Sequence, residues 1–406
     1  MTVAIPTKPA EKKVAGGKTP SLKDVLLSSM FVWMIVLTIA VDQASRLVYS
    51  HVETGYSQKL TNFFDSDRHP DVLLFGSSIA LSSSFESDAA IGILTRKDQK
   101  NNYYGAVQLQ NCIQSETGKK LKVENLACFG SMANHAWLEA EKLVEFGKIP
   151  KAIIYEIASR DFFDASIPRS FESEYYRTLA FLHPKRSQAN PLQSVGDLVA
   201  NSHFVTLVRN LVSDPQTLKN PDRLRFEFDS ALGALICVYR HRLEILAELS
   251  NRGSSLFSRA SSFEGAVSKI EMENKKRNPF AKVSAQSSGT YAVDSAPQLG
   301  RFEDEKVYFL KLVQVCRANN IKLIVVNMPV TVQYENLVPT ELKPRWPKEV
   351  REATENAGFA FINLNDQKVF PSGDFIDFAH LNQSGAMKVN GLIAKEIARR
   401  DLFRSF

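Results

Sequence analysis

Asp71-Val72-Leu73-Leu74-Phe75-Gly76-Ser77-Ser78-Ile79 is a short apolar run that ends on a glycine and two serines. A charge bounds it on one side and small hydroxylated residues on the other, as in a buried β-strand. Gly76 permits the tight turn needed by a chain leaving a strand for a helix. A serine placed there stands at the carboxyl end of the strand, where open α/β sheets bind their ligands. N-capping of a following helix explains such a serine at least as well. The run points to a fold class and nominates Ser78, but it does not decide the chemistry.

Working outward, four more short runs share this character: Val123–Ala127, Ala152–Ile157, Leu323–Asn327 and Phe359–Leu364. Between them lie stretches with helical spacing of apolar residues: Ala133–Phe146, Asp304–Ala318, Trp346–Ala357 and Gln383–Arg399. Strands alternating with helices imply a parallel sheet covered on both faces. The alternation stops between about residues 165 and 300. There the pattern is helical over 192–212 and 222–250, and Ser-rich and loop-like over 253–262 and 284–297. The expected organisation is an α/β core in two parts, 65–165 and 301–406, interrupted by a mainly helical insertion, 166–300. The insertion is either a lid or substrate platform beside the site or an elaboration packed on the core.

Ahead of the core, residues 1–24 are rich in Lys, Pro, Gly and Thr, a composition typical of disorder. Val25–Val41 then runs without a charge, bracketed by Asp24 and Asp42. A helix of that length spans about 26 Å, the lower limit for crossing a bilayer. Lys8, Lys12, Lys13, Lys18 and Lys23 precede the run and place the N-terminus in the cytoplasm. The expectation is one transmembrane anchor over 25–42 with the rest of the chain outside the cytoplasm. A cleaved signal peptide and a buried core helix are the rivals; the leader is long for a signal, and no clean A-x-A site precedes Val41.

The net charge is +6, and five of the lysines behind it fall in that leader. Beyond it charges are nearly balanced, with no concentrated basic face, which argues against nucleic acid as a partner. Cys112, Cys128, Cys237 and Cys316 lie far apart, and none pairs with a cysteine or histidine at zinc-ligand spacing. They read as buried thiols, with a Cys112–Cys128 disulfide open in an oxidising compartment. The seven histidines do not cluster, so no metal and no cofactor are expected.

The second chemical feature is Asp374-Phe375-Ile376-Asp377-Phe378-Ala379-His380-Leu381-Asn382, between the last strand and the C-terminal helix. A lone histidine usually caps or packs. Here Asp377 lies three residues before it. In a loop entering a helix, that spacing lets the carboxylate hold Nδ1–H and leaves Nε2 free to take a proton from a serine.

Together, Gly76-Ser77-Ser78-Ile79 after the first strand and D-x-x-H before the last helix resemble the SGNH/GDSL hydrolase superfamily. The likeness covers about 70–165 and 300–400. Ser78 stands at the position of that family's nucleophile, and Ser77 replaces the Asp of its first block. Asp377 and His380, with the following Leu-Asn-x-x-Gly, match its last block. Asn125-Leu126-Ala127-Cys128-Phe129-Gly130-Ser131 resembles the block whose glycine N–H serves the oxyanion hole. The family's Gly-x-Asn-Asp block is not present as such: the third strand leads into Ala158-Ser159-Arg160-Asp161-Phe162. Arg160 is a candidate substitute donor, or it pairs with Asp161 or caps the strand.

The resemblance implies a flavodoxin-like three-layer SGNH fold. It also implies a serine esterase or O-acyltransferase with Ser78, Asp377 and His380 as triad, and the N–H groups of Ser78 and Gly130 in the oxyanion hole. Anchored relatives move acyl groups on cell-surface polymers, as in teichoic acid D-alanyl transfer and alginate O-acetylation. They share an anchor, a Gly-Ser-Ser block and, more loosely, the Asn327-Met328-Pro329-Val330 segment. The expected substrate is an acyl donor or acylated envelope glycan, or a lipid-linked one. The bilayer, through 25–42, and a membrane acyl-carrier or acyltransferase protein are the expected partners. Two rivals stand beside this: an inactive SGNH-like domain that binds polysaccharide or serves assembly, and a structural membrane protein with an accidental D-x-x-H. Of the remaining residues, Tyr334 reads as a surface position or as one lining the site, His135 as an ordinary helix position or one reaching the cleft, and Phe162-Phe163 as packing on the sheet.

Overall fold

The computed structural model describes residues 55–94, 102–163, 174–182 and 295–404. All of them belong to the unit Val52–Phe406. The run Val25–Val41 and nearly all of 166–300 lie outside them. No described helix is long and apolar enough to cross a membrane.

In chain order the elements are α1 (Gly55–Asp65), β1 (Val72–Gly76), α2 (Ser78–Ala90), α3 (Val107–Thr117), β2 (Val123–Asn125), α4 (Ala133–Glu145) and β3 (Ala152–Ile157). Next come α5 (Arg160–Phe163), α6 (Glu174–Phe181), α7 (Ser295–Ala318), β4 (Lys322–Asn327) and α8 (Val332–Glu335). The last are α9 (Leu342–Asn356), β5 (Ala360–Asn363), a 3-10 turn at Ser372–Asp374 and α10 (Gln383–Arg399). The five strands form one sheet in the order β2-β1-β3-β4-β5, with every pair parallel. The protein is therefore α/β around a parallel sheet, and β1, β3 and β4 are buried almost throughout.

Strand alternation decides which helices cover which face. Tyr155 of β3 stacks on Phe309 of α7. Its neighbour Glu156 faces the other way and pairs in register with Gly76. A Cβ on Gly76 would lie 2.6 Å from that of Ala80, so α2 covers the face opposite α7. Helices α3 and α10 pack with α2, while α4, α5 and α9 pack with α7. Phe162 and Phe163 are fully buried, and Phe162 meets Phe302, Phe309 and Trp346.

Several boundaries differ from the sequence expectation. Helix α7 begins at Ser295 rather than Asp304, inside the stretch expected to be loop, and it crosses the expected boundary at 300. Pro297 does not prevent this, because a proline in the first turn removes only an N–H that lacks a helical acceptor. Helix α9 begins at Leu342 rather than Trp346 and continues through Pro347. Strand β2 ends at Asn125, yet Leu126 and Cys128 still donate to the carbonyls of Leu74 and Gly76 at 2.9 and 3.0 Å. Cys112, Cys128 and Cys316 are free thiols, so Cys112 and Cys128 are not bridged; Cys237 lies outside the described residues.

Candidate active site

The strand order reverses direction between β1 and β3, and the crevice outside the carboxyl ends at such a point is where doubly wound sheets bind ligands. Ser78 is the first residue of α2, immediately past β1. Ser77 takes the extended cap position, but its hydroxyl accepts no helix amide and has no partner among the described residues. Capping therefore does not account for these serines. The Ser78 Oγ lies 2.8 Å from His380 Nε2.

His380 Nδ1 lies 2.8 Å from Asp377 Oδ2. Oδ1 of the same carboxylate accepts the N–H groups of Ala379 and His380, both at 2.8 Å. One side chain thus shapes the loop and orients the ring. A carboxylate can only accept, so the ring proton sits on Nδ1 and Nε2 presents its lone pair to the serine hydroxyl. Burial alone would raise the Asp377 pKa. The hydrogen bond and charge of His380, with the two amides, outweigh this and bring it down to about 2. Ser78 is 6% exposed, whereas the Asp377 side chain remains 42% exposed. Water shares in solvating that carboxylate, so its main effect is orientation.

The loop carrying Asp377 and His380 is fastened at several points. Ile376 N–H donates to His380 O at 2.8 Å, and Asn382 N–H donates to Asp374 O at 2.9 Å. Asn382 also caps α10 by accepting the Gly385 N–H at 3.1 Å. From the segment after β4, the hydroxyl and N–H of Thr331 both donate to Phe378 O, at 2.7 and 3.1 Å. Tyr334 is fully buried, not at the surface: its ring stacks on Phe378, and its hydroxyl accepts the Arg160 N–H at 3.3 Å. Thr331 and Tyr334 are supports of the histidine loop that sequence reasoning did not assign. Their closeness in sequence to Asn327-Met328-Pro329-Val330 was the available clue.

Of the oxyanion candidates, the Ser78 amide lies in the first turn of α2. The helix ladder begins with Leu81 N–H on Ser77 O at 3.1 Å, so the Ser78 amide has no helical acceptor. Gly130 occupies the turn after β2 with φ +70°, and nothing lies within 4 Å of where a Cβ would stand. That turn abuts β1, because Cys128 donates to Gly76 O. Arg160 opens α5 at the carboxyl end of β3 with its side chain half-buried. Asp161 turns back to accept the Ala158 N–H at 2.8 Å.

His135 is buried in α4, where Nδ1 accepts the Met132 N–H at 3.0 Å. Burial, then the nearby Arg301 charge, pushes its pKa down to about 3. It is a neutral structural histidine. Among the described residues no cluster of His, Cys, Asp and Glu has the arrangement to hold a metal ion. A groove bordered by Arg351, Phe361, Leu392, Lys395 and Arg400 follows β5 at the sheet edge, and none of Ser78, Asp377 and His380 lines it. No family model and no curated protein matches this chain.

Proposed function

We propose that the protein is a membrane-anchored SGNH-type serine esterase or O-acyltransferase. The observation that carries this is the continuous Ser78–His380–Asp377 relay, with both links at 2.8 Å, at the carboxyl edge of β1. A chance D-x-x-H gives no reason for His380 Nε2 to meet a serine 302 residues away.

In the proposed cycle His380 takes the Ser78 proton as Oγ attacks an ester carbonyl. The N–H groups of Ser78 and Gly130 hold the oxyanion. The tetrahedral adduct collapses, the C–O bond to the leaving alcohol breaks, and His380 returns the proton to that alcohol. An acyl-serine remains. His380 then deprotonates water or a sugar hydroxyl, whose oxygen attacks the acyl carbon; the bond to Ser78 Oγ breaks, and His380 passes the proton to Oγ, restoring Ser78. Asp377 holds the ring and stabilises its cation throughout. With the run Val25–Val41 as anchor and the domain outside the cytoplasm, an acylated envelope glycan or lipid-linked glycan is the substrate class. A membrane acyl-carrier or acyltransferase protein is the matching partner.

One observation favours a second reading, an inactive SGNH-like domain that binds polysaccharide: the chain has Ala158-Ser159-Arg160-Asp161 where an Asn donor is expected. Turnover of an activated aryl acetate by full-length protein separates the two. Ser78→Ala is expected to lose more than about 10²-fold in kcat. Equal turnover in both proteins rejects the serine mechanism.

A further inference from the structure

Lys59 of α1 is only 1% exposed, a rare state for a lysine. Its ammonium donates a 2.9 Å hydrogen bond to the carbonyl of Ala127. Tyr104 donates its hydroxyl to the Lys59 carbonyl, and its ring centre lies 5.6 Å from the ammonium. The titratable neighbours are Cys128, beside Ala127, and Glu139 of α4. Glu139 is itself buried and accepts the hydroxyl of Tyr175 from α6. Burial lowers the Lys59 pKa to about 8, with Cys128 and Glu139 opposing the shift.

Ala127 belongs to the segment that leads from β2 to Gly130. The segment is tied to β1 by Leu126 and Cys128, and the Ala127 N–H donates to Asn125 Oδ1 at 2.7 Å. Both polar groups of the Ala127 backbone are thus met by side chains, and one of these reaches in from α1, outside the sheet. A simple apolar residue at 59 would pack there but would leave a buried carbonyl without a donor.

We propose that Lys59 is a positioning residue for the oxyanion turn: its bond to Ala127 O sets where the Gly130 N–H stands relative to Ser78. The inference rests on the acyl-transfer reading of the site. A misplacement of about 1 Å is enough to cost much of a catalytic group's effect.

Lys148 provides an internal control. It is 6% exposed and likewise donates to backbone carbonyls: Phe63 at 3.0 Å, Ser66, and Arg68 at 3.4 Å. It precedes β3, at the amino end of the sheet, away from Ser78. Lys59→Met and Lys148→Met each keep an apolar stem and remove the donor, so both lose stability.

The readout is the rate at which a fluorophosphonate phosphonylates Ser78 in the full-length protein, since its P=O oxygen uses the same donors. Lys59→Met is expected to slow labelling about tenfold, part of the 10²–10³ that follows loss of a whole oxyanion donor. Half-saturation by the probe should stay within about twofold, the pattern for an interaction made only in the transition state. Lys148→Met should label within about twofold of the unsubstituted rate, as a purely structural change does. Equal rates in the unsubstituted protein and Lys59→Met, or equal losses in both variants, overturn the proposal and leave the nucleophile standing. Absence of labelling in the unsubstituted protein removes the nucleophile and the proposal together. If Lys59→Met does not fold, Lys59→Gln, with a shorter donor, is compared with Lys148→Met by the same criteria.

Discussion

Gly76→Ala tests the turn that presents Ser78. Gly76 has φ +147°, a conformation that L side chains rarely adopt. A Cβ there would stand 2.6 Å from the Ala80 Cβ and closer still to the carbonyl oxygen of Glu156. The oxygen belongs to β3, which β1 and β4 clamp from either side. Neither neighbour is the end of a flexible side chain, so α2 must lift by about 1 Å to restore ordinary contact. Backbone strain of this kind costs about 1–3 kcal/mol, and overpacking adds about 1–3 kcal/mol more. The expected loss is therefore about 2–6 kcal/mol, a large part of the 5–15 kcal/mol typical of a domain. Because Ser78 opens α2, the same lift breaks the 2.8 Å contact with His380. Urea unfolding followed by far-UV circular dichroism reads the stability, and aryl-ester turnover reads the site. A change below about 0.5 kcal/mol, the scatter of ordinary surface substitutions, with full turnover would refute this account of the turn.

Two further predictions concern charge. Asp377→Asn keeps an acceptor for the loop amides but offers Nδ1 no carboxylate. A kcat loss of about 10²–10⁴ is expected, towards the lower end because Asp377 is half-exposed; a loss under about threefold in steady-state kinetics contradicts the orienting role. His135 has a folded pKa of about 3 against an ordinary value of 6.5. Between those values the unfolded chain binds the extra proton, so His135 costs stability as the pH falls, by up to about 1.4 kcal/mol per unit. Above 6.5 the effect is absent. Gln at this position keeps an acceptor for the Met132 N–H. The difference between His135→Gln and the unsubstituted protein in urea titrations should therefore open only on the acid side; a difference constant from pH 4 to 8 would count against a buried neutral imidazole.

The strands were legible because both faces of the sheet are covered, so VLLF, AIIYEI and LIVVN read as continuous apolar runs between breakers. Helix α10 was legible from end to end because Asn382 caps it and a clear apolar stripe follows. Helix α3 went unassigned although Leu109 and Ile113 share a face and Gly118 closes it in the left-handed conformation. Helix α2 reads Ser-Ile-Ala-Leu-Ser-Ser-Ser, poor in helix formers, so only its start was anticipated. Its small side chains instead let it approach the sheet at Gly76. Residue types and local spacing nominated Ser78, Asp377 and His380, but the closeness of Ser78 to His380 depends on five strands lying in one order. Tyr334 was misplaced at the surface because what buries it is Phe378, 44 positions on by their numbers, across a loop. Nor does any local pattern reveal that Lys59 ends on Ala127 O.

The most direct test of the central claim is to map the covalent adduct formed when full-length protein meets a fluorophosphonate, in the presence and absence of His380. Peptide mass mapping should place the adduct on Ser78, and His380→Ala should abolish it within the same exposure. No adduct, an adduct on another serine, or equal labelling of Ser78 without His380 would contradict an activated Ser78–His380–Asp377 relay.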